Sequence, residues 1–79
     1  MNVDIITPDT TLFTGDKVEL LQLPGIDGSF EILNDHAPLI SILKKGKIKL
    51  RNKGETDQYF DIKGGVIEVL SNKVLILAE

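Results

Sequence analysis

The chain has 79 residues, no cysteine, one histidine and a formal net charge of −3, so it holds one domain, residues 1–79, with neither disulfide bonds nor a zinc site to stabilise it. A domain of this size buries only about 60% of the surface of its unfolded chain, and a partner protein is the remaining common source of stability. The negative charge gives no reason to expect nucleic acid, and the lack of both an apolar run of ~18 residues and a signal peptide predicts a cytosolic protein, free or at a membrane surface.

Short apolar segments between turn residues predict strands throughout the first half of the chain. Val3 and Ile5 indicate a first strand, and residues 18–23 indicate a second one. The second segment changes the phase of its alternation midway, which predicts a β-bulge. Phe30 and Ile32 mark a third strand, with both side chains on its inner face.

The clearest strand signal is the alternation in residues 47–51, where Ile48 and Leu50 point one way and the cations point the other way. Residues 58–62 are predicted to pair with this strand as a hairpin. Gly54 lies in the connection and is free to adopt the positive φ that a tight turn requires.

A final hairpin is predicted from residues 66–70 and 73–77, with its turn at residues 71–72. Residues 74–77 are apolar on both faces, which is not the pattern of a strand with one solvated face. We therefore expect the chain itself or a partner to cover the second face. Together the segments predict an all-β domain, either a sandwich or a barrel.

A basic stretch lies in the middle of the chain and contains no acidic residue. It can be a solvated outer face, a surface for an acidic partner, or a phosphate-binding surface. Single-stranded nucleic acid also needs exposed aromatic side chains to stack on, and Phe30 and Phe60 are predicted to lie in the core. The six basic residues are Lys44, Lys45, Lys47, Lys49, Arg51 and Lys53.

Catalytic chemistry finds little support in the sequence. His36 is the only histidine, and the adjacent Asp35 points to the opposite side of an extended chain. Asp35 therefore cannot orient His36 as a general base. Gly64 and Gly65 are not part of a phosphate-binding loop, since a strand follows them rather than a helix. We predict no catalytic residue, no cofactor and no metal site.

The segment Gly15-Asp16-Lys17-Val18 is similar to the lysine turn of small all-β lipoyl carrier domains. In those domains the lysine lies at a hairpin tip near the middle of the chain, whereas Lys17 begins a strand near the N-terminus. An unrelated small binding module, for nucleic acid or as a carrier, remains the alternative function.

The connection over residues 34–38 is predicted to be a rigid surface loop, because Pro38 restricts the residue before it to extended geometry. Leu39 and Ile40 are predicted to anchor the next strand in the core. His36 is then either a contact residue for a partner or a residue that fixes its own loop through backbone hydrogen bonds.

Three stretches carry a resemblance to a known family. They are residues 23–32, with a strand, tight turn and glycine-led return strand; residues 36–40, His-Ala-Pro-Leu-Ile; and residues 64–79, with Gly-Gly-x-x-Glu-Val and a closing Leu-Ala-acid. In this order and spacing they resemble the N-terminal β-sandwich domain of the epsilon subunits of F-type rotary ATP synthases. The resemblance implies a small β-sandwich of about ten short strands in two sheets. The family's C-terminal helical hairpin has no counterpart before Glu79.

The resemblance implies a non-catalytic central-stalk subunit of the rotor that couples the gamma subunit to the c-ring during proton-driven ATP synthesis. It also implies one copy per hetero-oligomeric complex, at the cytoplasmic face of the bacterial inner membrane, without insertion into it. Family members carry an acidic residue near the c-ring where this chain has Ser29, and Glu31 and Asp35 lie close enough in sequence to replace that charge. With His36, these residues are the predicted partner-binding positions.

Overall fold

The computed structural model describes residues 1–79 and contains no helix. No segment of it therefore forms a helix of the length and apolarity that crossing a membrane requires. The sheet order is β2-β1-β7-β6-β5-β3-β4, with β1 and β7 parallel and every other pair antiparallel. The seven strands are β1 (Asn2–Ile6), β2 (Thr11–Gly15), β3 (Val18–Gly25), β4 (Gly28–Leu33), β5 (Leu39–Asn52), β6 (Gln58–Leu70) and β7 (Lys73–Ala78).

This single sheet folds over on itself to make the two layers of a sandwich. The rings of Phe13 on β2 and Phe60 on β6 meet edge to face with centroids 5.9 Å apart, although β1 and β7 lie between these strands in the sheet. The amino nitrogen of Met1 donates a hydrogen bond of 2.8 Å to the carbonyl oxygen of Val18 on β3. Contacts between such distant strands require that the two halves of the sheet face each other.

The fold-over occurs in the two longest strands, β5 and β6, which have 14 and 13 residues and take part in both layers. Their register is unbroken from Leu39 opposite Val69 to Leu50 opposite Gln58. In each strand the alternation between buried and exposed side chains changes phase once. The change occurs in β5 at residues 44–45, which are both exposed, and in β6 at residues 64–65. We call this place the corner of the sheet.

The corner corrects the predicted strand count. The glycines near residues 45–46 and 64–65 were expected to end strands, but they bend β5 and β6 and let each strand continue. The all-β prediction is confirmed, with seven strands in one continuous sheet rather than about ten in two sheets. Counting the two bent strands as two segments each gives nine, close to the predicted number.

The core between the layers is entirely apolar, and no polar or charged residue is buried in it. Ile48, Leu50 and Ile62 lie in the core as their alternation predicts, and Phe60 packs at its margin. Each fully buried side chain of this size contributes about 1.5–3 kcal/mol. The core residues are Met1, Val3, Ile5, Val18, Leu21, Leu23, Ile32, Leu43, Ile48, Leu50, Ile62, Ile67, Val69, Val74, Ile76 and Ala78.

Local features follow the sequence closely. The pairing of β3 with β5 shifts register between Val18 and Leu20, which confirms the predicted bulge. Gly54 has a φ of 77°, and Ser71 and Asn72 have φ values of 51° and 60°. The predicted turns therefore have the left-handed backbone that tight hairpin connections use.

One core prediction is wrong. Leu39 packs against the core, but the side chain of Ile40 is 73% exposed. Successive residues of a strand point to opposite faces, so both could not be buried in a two-layer sandwich without a further layer outside it.

Candidate interaction surfaces

The site candidates in this molecule are surfaces. No three His, Cys, Asp or Glu side chains come together in a metal-binding group, and no polar residue is buried. The two layers present outer faces of opposite character, one apolar and one charged.

The outer face of one layer carries a contiguous group of large apolar side chains on three neighbouring strands. Ile42, Val66 and Leu77 lie opposite one another in a single row across β5, β6 and β7. Monomeric soluble proteins rarely expose contiguous patches of this kind unless they bind a partner. We call the patch the apolar outer face; its members, between 36% and 73% exposed, are Ile40, Ile42, Val66, Leu70, Leu75 and Leu77.

The pattern in β7 had predicted such a face. Val74 and Ile76 are buried in the core, whereas Leu75 and Leu77 point to solvent, so the strand is apolar on both sides as its sequence indicates. The contribution of β5 was missed, although Ile40 and Ile42 belong to a largely apolar segment, residues 38–43, that only Ser41 interrupts. Apolar residues on both faces of the segment, the pattern used for β7, could have identified β5 as part of the apolar outer face.

The outer face of the other layer is charged and largely self-paired. Lys47 Nζ lies 3.7 Å from Asp61 Oδ1, and Lys49 Nζ lies 3.7 Å from Asp57 Oδ2. Arg51 Nε donates a hydrogen bond of 2.7 Å to Asp57 Oδ1. Half of the basic stretch is thus neutralised across the β5–β6 hairpin, which agrees with its interpretation as a solvated outer face.

The Arg51–Asp57 pair gives the domain a pH-dependent stability. The hydrogen bond from Arg51 lowers the pKa of the Asp57 carboxyl below its usual value, and the same bond raises the pKa of Arg51. A carboxyl with a lowered folded-state pKa stabilises the fold above its unfolded pKa of about 3.9. That contribution disappears as the pH falls through the lower, folded-state value.

We predict that Asp57→Asn lowers the free energy of unfolding near neutral pH and that the difference from the parent chain vanishes once the pH falls below the lowered pKa of Asp57 in the folded chain. Urea denaturation at a series of pH values measures this difference. Asp61→Asn is the matched control, because its lysine contact is longer and 81% of its side chain is exposed. A difference that stays constant down to acid pH would contradict the assignment.

The sequence-predicted partner residues lie along one edge of the sheet. Ser29 and Glu31 are exposed on β4, the edge strand, and Asp35 and His36 are exposed in the loop that follows it. Four residues of strand span about 13 Å, so Ser29 and His36 lie at opposite ends of this edge. The structure therefore gives a linear set of exposed polar groups and no convergent site.

The loop over residues 34–38 is fastened to the β6–β7 turn. The backbone nitrogen of Asp35, at a φ of 61°, donates a hydrogen bond of 2.9 Å to Asn72 Oδ1. His36 Nδ1 lies 2.7 Å from the carbonyl oxygen of Ala37. His36 is thus exposed and at the same time bonded to its own loop, so both predicted roles for it remain compatible with its position.

Comparison with known proteins shows which family this chain is similar to. The family model described as "ATP synthase, Delta/Epsilon chain, beta-sandwich domain" matches residues 1–79. The ATP synthase epsilon chain of Chlorobium limicola is 40% identical over 77 residues, which cover 98% of this chain and 86% of that protein. The epsilon chain of Caulobacter vibrioides is 37% identical over 79 residues, covering 100% and 90%.

Solved structures show the same fold in larger chains. A chain in the central stalk and c-ring structure of the Tetrahymena thermophila mitochondrial ATP synthase matches with a TM-score of 0.86 and 23% identity, over 99% of this chain and 62% of that one. A chain of the Euglena gracilis mitochondrial ATP synthase matches with a TM-score of 0.89 and 18% identity, over 96% and 48%. The likeness extends over both layers and the corner of the sheet.

Proposed function

This chain belongs to the family of ATP synthase delta and epsilon chains, and we propose that it acts as a subunit of the rotor stalk that joins the gamma subunit to the c-ring without catalysing a reaction itself. A subunit of this kind transmits torque and fixes alignment, so its functional sites are surfaces. The observation that carries the proposal is the apolar outer face, which a monomer would leave in water.

Two surfaces serve two partners in this proposal. The apolar outer face buries its side chains against the gamma subunit, and this burial supplies most of the binding free energy at about 25 cal/mol per Å² before the costs of association. The polar edge with Ser29, Glu31, Asp35 and His36 faces the c-ring. The complex lies at the cytoplasmic face of the bacterial inner membrane, with one copy of this chain in it.

The alternative of an unrelated nucleic-acid-binding or carrier module loses its support. The family match spans the whole of residues 1–79, and three of the six central cations are already paired with Asp57 or Asp61. Retention on an anionic nucleic-acid column at physiological salt would revive that alternative.

Co-expression with the gamma subunit of the same organism tests the proposal. We expect the two chains to elute together from a size-exclusion column at micromolar concentration. Separate elution of two folded proteins would contradict the proposed role.

His36→Ala tests the polar edge. The fold should remain intact, because His36 is exposed and its only polar contact is within its own loop. Assembly with the rotor should weaken by roughly 1–2 kcal/mol if His36 is a secondary contact. Thermal melts and binding assays on the same variant separate the roles: a lower melting temperature with unchanged affinity would assign His36 to fixing its loop.

A further inference from the structure

We propose that the partner segment covering the apolar outer face carries a lysine or arginine, and that Glu68, with Asp4 beside it, receives that cation. The inference rests on the proposed function and adds the chemistry of the partner. It assigns a specificity-determining role to a carboxylate in the middle of an otherwise apolar surface.

Glu68 occupies the centre of the apolar outer face. In the register of the sheet it lies opposite Ile40 on one side and opposite Leu75 on the other. Along its own strand, the neighbours on the same face are Val66 and Leu70. Its carboxylate is therefore surrounded by apolar side chains in all four directions, and no cation lies within 4.0 Å of it.

A second carboxylate lies one strand beyond Leu75. Asp4 on β1 is opposite Leu75 in the parallel register, and its Oδ1 accepts a hydrogen bond of 2.6 Å from Thr14 Oγ1. Asp4 also has no cation within 4.0 Å. Glu68 and Asp4 are two strands apart, about 10 Å at the usual spacing, with Leu75 between them.

The surface between these two acids is concave. A depression of about 410 Å³ is lined by Asp4, Glu68, Leu70, Leu75 and Lys73, among others. Lys73 forms no ion pair with either carboxylate. The depression is thus lined by apolar side chains, Leu70, Val74 and Leu75, together with two carboxylates that have no ion pair. The methylene stem of a lysine or arginine can pack on such apolar side chains while its charged end reaches a carboxylate.

The negative charge of Glu68 restricts which partner segments can cover the apolar outer face. Glu68 is well solvated in the free chain, but a partner lying on Ile40, Val66 and Leu75 would remove water from its carboxylate. A buried charge without a partner is strongly unfavourable. Lys73 is the one cation of this chain in the depression and cannot neutralise both acids, so we expect a segment that fits this face to bring a further cation to Glu68. Arginine fits best, since it is less strongly hydrated than lysine and is enriched at interfaces.

The same charges argue against a second copy of this chain as the occupant. A two-fold interface brings the same patch of both copies together. Two copies would then bring four carboxylates, Glu68 and Asp4 from each, against only two lysines, Lys73 from each, and so leave an excess of negative charge. A heterologous partner that supplies its own cation has no such repulsion.

The experiment measures the dissociation constant of this chain for the gamma subunit at low and high salt. We expect Glu68→Gln to weaken binding about tenfold at low salt and the difference to shrink at high salt, where charge interactions are screened. Asp4→Asn should have a smaller effect in the same direction. Glu55→Gln, an exposed change in the β5–β6 turn, is the control that should bind like the parent chain.

The outcomes separate this inference from the proposed function. Failure of the parent chain to bind gamma overturns both, whereas unchanged binding by Glu68→Gln overturns only the assignment of the cation. Glu68→Lys should abolish binding, and a Lys→Glu or Arg→Glu change at one position of gamma should restore it. Concentration-dependent self-association of the parent chain that competes with gamma would instead identify a second copy as the occupant.

Discussion

Gly65→Ala should cost the domain a large part of its stability. Gly65 lies at the corner of the sheet with a φ of 155°, a conformation that costs other residues about 1–3 kcal/mol. A β-carbon there would also overlap the carbonyl oxygen of Leu77 in β7, which is backbone and cannot rotate away. We expect a total loss of about 3 kcal/mol or more, against roughly 4–12 kcal/mol for a domain of this length.

Gly64→Ala is the matched control. Gly64 has nearly the same φ, 154°, but its added β-carbon would lie 3.4 Å from the nearest atom, the carbonyl oxygen of Leu43. This variant should lose only the free energy of the unfavourable backbone conformation, about 1–3 kcal/mol, without the added overlap with β7. Urea denaturation followed by circular dichroism measures both, and equal losses would show that the close approach of β7 is not what demands glycine at position 65.

The strand interiors were predictable because the signal for them is local. Ile48 and Leu50 alternate with cations, and this period of two places them in the core whatever strands lie beside them. The turn at residues 71–72 was predictable for the same reason, since Asn tolerates a left-handed backbone. The prediction of a sandwich came from the family resemblance, because alternation alone does not distinguish a sandwich from a barrel.

The corner of the sheet was not predictable in this way. A glycine pair is an equally good signal for the end of a strand and for a bend within it. Gly64 and Gly65 bend β6 without interrupting its pairing with β5, and the choice depends on β7 passing close to Gly65. That contact is set by the register of the β6–β7 hairpin, which places Gly65 opposite Ala78.

The apolar outer face was half predictable. The sequence of residues 74–77 is enough to predict that β7 is apolar on its outer side as well as its inner side. The full extent of the apolar outer face depends on which strands lie beside β7. The central position of Glu68 follows only from the register that places Ile40 and Leu75 on either side of it. Ser29, Glu31, Asp35 and His36 remain predictions drawn from the family resemblance, since they line an edge without converging.

Ile42→Asp should abolish binding to the gamma subunit and leave the domain folded. Ile42 is 56% exposed and lies in the row with Val66 and Leu77, where the apolar outer face has no charged member. A carboxylate placed there loses its water on docking, and the proposed partner cation belongs to Glu68. Lys63 lines the same depression as Ile42, but a pair of the new carboxylate with Lys63 would itself lose its water on docking, which is also costly. A loss of about 3 kcal/mol or more corresponds to a dissociation constant raised more than 100-fold.

Tyr59→Asp is the control that gives this result its meaning. Tyr59 is 59% exposed on the charged outer face, opposite Lys49 in the register of β5 and β6. Both changes place aspartate at an outward position of a strand and so carry a similar strand-propensity cost, about 1 kcal/mol. Thermal melts should therefore fall by similar amounts, while titration calorimetry should find that only Ile42→Asp fails to bind gamma. Equal binding by the two variants would mean that gamma does not dock on the apolar outer face, because covering a carboxylate that has no partner cation would weaken binding.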